Sequence, residues 1–189
     1  MPHAAAADDA IAGGSPRVGI DATLLSVRGK GVGRYLVELL PRLASAPGGV
    51  APVALTAPGA QLPPGAERLE RLDVRSRPSS LWEQVGMPRA ARAGRLALLH
   101  TTSDRLPLRP TVPVVLYLFE DPCHREQLAA AAGRTAKHAL AGALTTAVFP
   151  HSLRRAARIL VSSEATARDV EARGIPRARL RVVYPGVSP

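Results

Sequence analysis

A glycine-rich run near the start of the chain is the part of the sequence best suited to bind an anion. The run Gly29-Lys30-Gly31-Val32-Gly33 follows a short apolar stretch and precedes a segment with leucine at helical spacing. A strand, a glycine loop and a helix in this order direct free backbone N–H groups and the positive end of the helix dipole toward a phosphate. Glycine also lets an anion approach without meeting a Cβ atom. We therefore predict that a phosphate-bearing ligand binds at Gly29, Gly31, Val32 and Gly33. The alternative is an ordinary glycine-rich turn.

Two common phosphate-binding motifs do not fit this loop. A P-loop requires Ser or Thr directly after its Gly-Lys pair, and here Gly31 takes that position. The dinucleotide fingerprint requires G-x-G-x-x-G and an acidic residue about 20 positions later for the ribose hydroxyls. This loop reads G-x-G-x-G, and the next predicted strand, 53–56, ends without an acidic residue. NAD binding is therefore disfavoured, and a nucleotide-binding oxidoreductase or methyltransferase domain is kept only as an alternative.

Further polar residues stand directly after predicted strands. The carboxyl ends of parallel strands face the ligand crevice in an open α/β sheet, so residues at these positions are expected to line the same crevice as the glycine loop. The structural alternatives are a hydrogen-bonded histidine inside the fold and a solvated acidic pair that caps a loop. The residues predicted at the crevice are His100, Glu120, Asp121, Ser163 and Glu164.

Apolar runs and helical patterns alternate along the chain, which predicts an α/β fold with a doubly wound, mainly parallel sheet and helices on both faces. The predicted strands lie at 18–20, 53–56, 69–74, 96–99, 112–119, 159–161 and 180–183. Residues 126–143 are helical by propensity. A separate helix is expected at 151–157, with Pro150 in its first turn, where the missing N–H does no harm. Ser162 or Ser163 is expected to cap a helix over 164–173 that Gly174 closes.

The composition is that of a globular domain of ordinary size. The 189 residues suffice for one domain with a sizeable core, and 46% of them are hydrophobic. The formal charge of +10 comes almost wholly from arginine, because Lys30 and Lys137 are the only lysines. A basic balance suits nucleic acid, an anionic membrane or phosphorylated substrates, but we attribute most of it to a GC-rich coding sequence. No basic run is interleaved with aromatic residues, so no nucleic-acid partner is predicted.

The remaining sequence signals concern the cellular compartment and metals. Cys123 is the only cysteine, which excludes an internal disulfide and favours a reducing compartment. Residues 1–16 carry two aspartates where a signal peptide would be basic, and we interpret them as a disordered leader. No stretch is long and apolar enough to span a bilayer. We predict a cytoplasmic protein with at most a peripheral contact with the inner face of the membrane. No carboxylate cluster has metal-ligand spacing, so no metal is predicted.

The chain resembles family 4 glycosyltransferases. Those enzymes have two Rossmann-like domains that face each other across a cleft, the arrangement called GT-B. The resemblance implies that residues 17–189 are a Rossmann-like N-terminal, acceptor-side domain of a retaining enzyme, without the second, donor-binding domain. It rests on five blocks that occur in the family's order: Gly19-Ile20-Asp21-Ala22 with Gly31-Val32-Gly33-Arg34-Tyr35, Leu81-Trp82-Glu83-Gln84, Leu98-Leu99-His100-Thr101, the run 157–164, and the run 180–187.

The resemblance also implies a reaction and its partners. A sugar would move from a nucleotide-diphosphate sugar, which is a substrate and not a cofactor, to a hydroxyl of a glycan, lipid or small-molecule acceptor. The glycine loop would bind the donor phosphates, while His100, Ser163 and Glu164 would line the acceptor side of the cleft. Alone, without a second glycosyltransferase domain or chain as partner, the domain is expected to be inactive.

One position departs from the family pattern. Family 4 enzymes usually place His-Asp at the end of the strand 112–119, whereas this chain has Phe119 and Glu120 there. The catalytic role of the family histidine therefore does not carry over. Glu120 and Asp121 are left as catalytic candidates that would accept hydrogen bonds from sugar hydroxyls. The alternatives are a non-catalytic partner or regulatory module that has kept the fold, and one half of a two-chain glycosyltransferase.

Overall fold

The computed structural model describes residues 14–25, 31–75, 81–123 and 136–185. The predicted leader, apart from its last three residues, lies outside this part of the chain, as do Gly29 and most of the predicted helix 126–143. Four α-helices lie within it: α1 (Gly31–Ser45), α2 (Met87–Ala93), α3 (Ala136–Arg155) and α4 (Glu164–Ala172). A π-helical segment, Trp82–Gly86, leads directly into α2.

Seven strands form one sheet in which every pairing is parallel. The strand order is β3-β2-β1-β4-β5-β6-β7. This confirms the predicted doubly wound α/β fold and makes the sheet wholly, not mainly, parallel. The order reverses between β1 and β4, the point at which open α/β sheets have a ligand crevice outside the carboxyl ends of their strands. The strands are β1 (Arg17–Asp21), β2 (Ala51–Thr56), β3 (Glu70–Asp73), β4 (Leu98–Thr101), β5 (Val114–Leu118), β6 (Arg158–Val161) and β7 (Leu180–Val182).

Helices cover the two faces of the sheet unequally. On one face, Leu36 and Leu40 of α1 pack against Ile20 and Ala54 of the first two strands. On the other face, the π segment, α2, α3 and α4 bury one continuous apolar cluster that includes Leu99 and alternate residues of β5 and β6. Because successive side chains of a strand point to opposite faces, the remaining β5 residues turn toward α1. This arrangement places α1 beside the crevice.

The helix before β6 differs from its prediction. A new helix was expected to begin at Pro150, but α3 runs without interruption from Ala136 to Arg155 with Pro150 inside it. Phe149 and Leu153 lie one turn apart on the buried face, with 0% and 1% of their surfaces exposed. Burial of this face outweighs the one backbone hydrogen bond that proline removes. Proline at a helix start is a preference, and here tertiary packing overrides it.

Candidate functional site

The crevice lies where the carboxyl ends of β1, β4, β5 and β6 meet the beginning of α1. Gly31 is the first residue of α1 and is exposed, and a Cβ atom there would meet nothing within 4 Å. Gly33 is buried on the same helix face as Leu36 and Leu40. Val32 is half-buried against the core beneath α1. Of the predicted phosphate-binding residues in the described part of the chain, Gly31 is the one open to a ligand.

The first turn of α1 carries uncompensated positive charge. It contains no acidic residue, although acidic residues are the ones that the helix dipole favours there. Arg34 in this turn is instead exposed, and no ion pair joins it to a carboxylate of the described residues. The first backbone N–H groups of a helix have no acceptor within the helix. Together these groups favour an anion at the beginning of α1.

Asp21, at the end of β1, forms a buried hydrogen-bond network that the sequence did not reveal. Asp21 is only 7% exposed. Oδ1 accepts hydrogen bonds from the Thr23 backbone N–H at 3.2 Å and the Thr23 hydroxyl at 2.7 Å. Oδ2 accepts one from the Thr101 hydroxyl at 2.9 Å and a longer one from Trp82 Nε1 at 3.4 Å. The carboxylate therefore ties β1 to β4 across the crevice and fixes the beginning of the loop that leads to the glycines. The only hint of this network in the sequence was an acidic residue at the end of a predicted buried strand.

His100 joins the sheet to α1. Its Nε2 lies 2.9 Å from the Tyr35 hydroxyl, and the residue is 8% exposed. Burial lowers the pKa of His100 to about 4, and a hydrogen bond with the Val115 backbone only partly offsets this effect. The imidazole is therefore neutral at physiological pH, and one hydrogen bond joins its Nε2 to the Tyr35 hydroxyl, with the donor set by the imidazole tautomer. The structure places His100 as an anchor for α1, and the predicted acceptor contact stays a prediction.

An aromatic cluster surrounds this anchor. The Tyr35 ring stacks on Tyr117, with 4.8 Å between centroids and 10° between planes. Phe119 meets both rings edge-on, at 5.6 Å from Tyr35 and 4.7 Å from Tyr117. The Ser162 hydroxyl donates to the Phe119 carbonyl oxygen, which fixes the backbone at this position. Phe119 is therefore held both by its ring contacts with Tyr35 and Tyr117 and by the hydrogen bond to its carbonyl oxygen.

The two acidic residues after β5 have different surroundings. Asp121 is buried, and its Oδ2 accepts a hydrogen bond from Arg173 Nε at 2.9 Å while Oδ1 accepts one from the Cys123 backbone N–H at 2.8 Å. A sugar hydroxyl would have to displace one of these donors to reach Asp121. Glu120 is exposed. Of the predicted pair, Glu120 is thus the carboxylate that solvent reaches.

Ser163 and Glu164 lie at the beginning of α4. Ser163 is the N-cap of this helix, where its hydroxyl accepts a hydrogen bond from the Thr166 backbone N–H at 3.1 Å, so the predicted cap is confirmed. Glu164 is exposed and pairs with Arg177 at 2.8 Å. Both residues follow β6 at the crevice edge, and their contact with an acceptor stays a prediction.

The contacts of a second buried acidic residue, Glu83, were not predicted from the sequence. Its carboxylate pairs with Arg105 at 2.9 Å and accepts a hydrogen bond from the Ser103 hydroxyl at 3.0 Å. Burial nevertheless raises the pKa of Glu83, since desolvation outweighs the attraction of the guanidinium. The pair joins the π segment to the loop that follows β4. It therefore holds one wall of the crevice.

Two negative findings apply to the part of the chain that the structure describes. No group of three or more His, Cys, Asp or Glu side chains is placed to bind a metal ion there. None of the helices in the same ranges has both the length and the apolar character that crossing a membrane requires.

Comparison with known proteins gives the family. Residues 29–189 match the family model described as Glycosyltransferase Family 4. A search of curated proteins found no significant match. The matched region includes α1 and every later strand and helix, so it contains all the crevice residues except Asp21 and Thr23. The chain therefore belongs to glycosyltransferase family 4, whose general reaction is glycosyl transfer.

Proposed function

We propose that this chain is the N-terminal, acceptor-side domain of a retaining GT-B glycosyltransferase that moves a sugar from a nucleotide-diphosphate sugar to an acceptor hydroxyl. One observation carries the proposal. The positive end of α1, with exposed Gly31 at its first position, lies beside the point where the strand order reverses. Ligands of open α/β sheets bind at this point.

In the proposed reaction, this domain would stabilise the diphosphate leaving group. Breaking the sugar–phosphate bond develops negative charge on the diphosphate oxygens. Backbone N–H groups at the beginning of α1, with the Arg34 guanidinium nearby, would stabilise that charge without rearranging. Asp21 and His100 support this role indirectly, because each holds the backbone on one side of the glycine loop. The donors would therefore be preorganised before substrate arrives.

The proposed contacts with the acceptor come from residues at the carboxyl ends of the other strands. Glu120 is the better placed of the two catalytic candidates to accept a hydrogen bond from a sugar hydroxyl, because its side chain is exposed whereas that of Asp121 is buried. Ser163 and Glu164 would contact the acceptor from the edge of β6, and His100 would do so only where its bond to Tyr35 opened. No cofactor is needed for this transfer, since the nucleotide sugar is itself the donor. A second glycosyltransferase domain or chain would supply the other wall of the cleft.

Two glycines provide a matched test of the phosphate site. Gly31 and Gly48 are both exposed and both have open space where a Cβ atom would go, but Gly48 lies beyond the far end of α1. We expect Gly31→Ala to weaken binding of UDP, GDP or pyrophosphate about tenfold, because the added methyl group would stand where the anion approaches the backbone N–H groups. Gly48→Ala should bind as the wild type does. Isothermal titration measures both, and equal affinities in the two variants would refute the site.

A second candidate function is a non-catalytic partner or regulatory module. The observation in its favour is Phe119, an apolar ring locked into the aromatic cluster where the family usually has histidine. Such a chain would bind diphosphate through Gly31 yet release no nucleoside diphosphate from a nucleotide sugar when combined with a donor-binding domain. Release of nucleoside diphosphate coupled to product formation would instead establish the transferase.

A further inference from the structure

The π-helical segment Trp82–Gly86 directs three successive side chains to the loops at the carboxyl ends of β1 and β4. Trp82 and Glu83 are 4% and 6% exposed. Trp82 Nε1 donates to Asp21 Oδ2, at the end of β1, over 3.4 Å. Glu83 pairs with an arginine of the loop after β4, and Gln84 binds two backbone groups farther along that loop. One short segment therefore contacts both loops that border the point where the strand order reverses.

A proline accounts for the wide winding of this segment. The Met87 backbone N–H bonds the Trp82 carbonyl oxygen, five residues earlier, and Pro88 follows in the first turn of α2. In an unbroken α-helix the ring of Pro88 would clash with the carbonyl of Gln84, four residues before it. A π turn is wider than an α turn, so it rotates successive side chains through a smaller angle. Wide winding here thus allows neighbouring side chains to face the same side, and such turns often occur at functional sites.

Gly86 provides the space that the indole of Trp82 occupies. A Cβ atom at position 86 would lie 2.3 Å from Cε3 and 3.0 Å from Cζ3 of Trp82. The backbone of Gly86 has a φ of −64° and a ψ of −51°, which any residue adopts. Glycine is therefore needed for space and not for backbone freedom. A larger residue would push the buried ring away from its present position, in which Nε1 reaches Asp21.

We propose that Trp82 and Gly86 are positioning residues for the ligand of the crevice. Gly86 lets the indole reach the carboxylate of Asp21, and that carboxylate holds the Thr23 backbone N–H at 3.2 Å, where the loop toward the glycines begins. A Trp82 that only filled the core would need no polar partner, whereas the N–H of this buried indole has one. The identity of the ligand, a diphosphate, rests on the function proposed above. The positioning of Asp21 by the indole does not.

The first test needs no ligand. Trp82 is the only tryptophan, so fluorescence reports this ring alone, and Gly86→Ala should shift its emission to longer wavelength. Amide hydrogen exchange of Thr23, relative to that of Leu116 in the central strand β5, should become roughly tenfold faster. The reference amide corrects for any change in global stability. Gly94→Ala, at the other end of α2, adds a methyl group 3.1 Å from the Ala90 carbonyl oxygen and should leave the emission unchanged and the exchange ratio within about twofold of the wild type.

The second test is titration of the whole chain with pyrophosphate. Gly86→Ala, which displaces the indole, and Trp82→Phe, which removes its N–H, should each weaken binding about fivefold, a size typical of residues that act through others. The double variant should bind within about twofold of Trp82→Phe alone, because the smaller ring does not reach the methyl group added at position 86. Trp82→Phe also provides the Thr23 exchange measurement if Gly86→Ala does not fold.

Two results would overturn the positioning role. One is a Thr23 exchange ratio that stays at the wild-type value in both single variants, since Asp21 would then hold the loop without the indole. The other is a double variant whose loss of affinity equals the product of the two single losses. A wild type that does not bind pyrophosphate would instead refute the phosphate site proposed above, and the Thr23 exchange would still decide whether Trp82 positions Asp21.

Discussion

Acidification should destabilise this fold through His100. Its pKa is about 4 in the folded protein, against an ordinary value of 6.5. Between these values the unfolded chain binds a proton that the folded protein does not, so stability rises with pH across this range. The stability that His100 contributes is fully present above pH 6.5 and is lost as the pH falls toward 4. From the two pKa values, the loss between pH 7.5 and pH 4.5 is about 2.5 kcal/mol.

The assay is urea unfolding at pH 7.5 and pH 4.5 for the wild type and for His100→Gln. Glutamine can accept a hydrogen bond from the Tyr35 hydroxyl and donate one to the Val115 backbone, but it does not titrate. Other groups that titrate in this range do so in both proteins. The wild type should therefore lose about 2.5 kcal/mol more than the variant between the two pH values.

The refuting result is a variant that loses as much stability as the wild type. That outcome would mean that His100 is hydrated in the folded protein or keeps an ordinary pKa. The tie between Tyr35 and His100 would then not be the buried, neutral contact that anchors α1. NMR titration of the imidazole would locate the error, because a midpoint near 6.5 would contradict the burial directly.

Two further changes test the backbone strain and the buried network. Arg95 has a φ of 48°, so Arg95→Gly should stabilise the protein by about 0.5–1 kcal/mol and raise its melting temperature by roughly 1–4 °C, since glycine relieves the left-handed strain but adds entropy to the unfolded chain. An unchanged or lower melting temperature would contradict this. Asp21→Ala should cost about 2–4 kcal/mol in urea unfolding, because it leaves the buried donors of Thr23 and Thr101 without an acceptor. A loss below about 1 kcal/mol would show that water replaces the carboxylate.

The sequence predicted the centre of the sheet because the strands there are largely buried. Runs such as 114–118 and 159–161 consist almost wholly of apolar residues, and this pattern needs no long-range information. Ser163 and Gly174 were predictable for the same reason, since capping depends on residues a few positions apart. The position of the crevice followed from the parallel topology alone. Local chemistry and one topological rule thus determined most of the fold.

The contacts inside the crevice were beyond local reasoning. Tyr35 and His100 are separated by 65 positions, and Asp21 and Thr101 by 80. Which side chains meet across such distances depends on strand order and on the tilt of α1, neither of which leaves a periodic signal. The same holds for Asp121, whose pairing with Arg173 spans 52 positions. The polar residue at a strand end was predictable from the sequence, but its partner was not.

These hydrogen-bond partners separate the residues that hold the fold from those left to bind a ligand. The buried carboxylates of Asp21 and Asp121 and the imidazole of His100 already have hydrogen-bond partners within the domain. Displacing them would leave buried polar groups unsatisfied, which costs more than most ligand contacts return. Their function is thus to hold backbone in place, and under the proposed function the donor phosphates would instead meet the exposed end of α1. Substitution of the paired residues should therefore change stability first, whereas substitution of Gly31 should change binding with the fold intact.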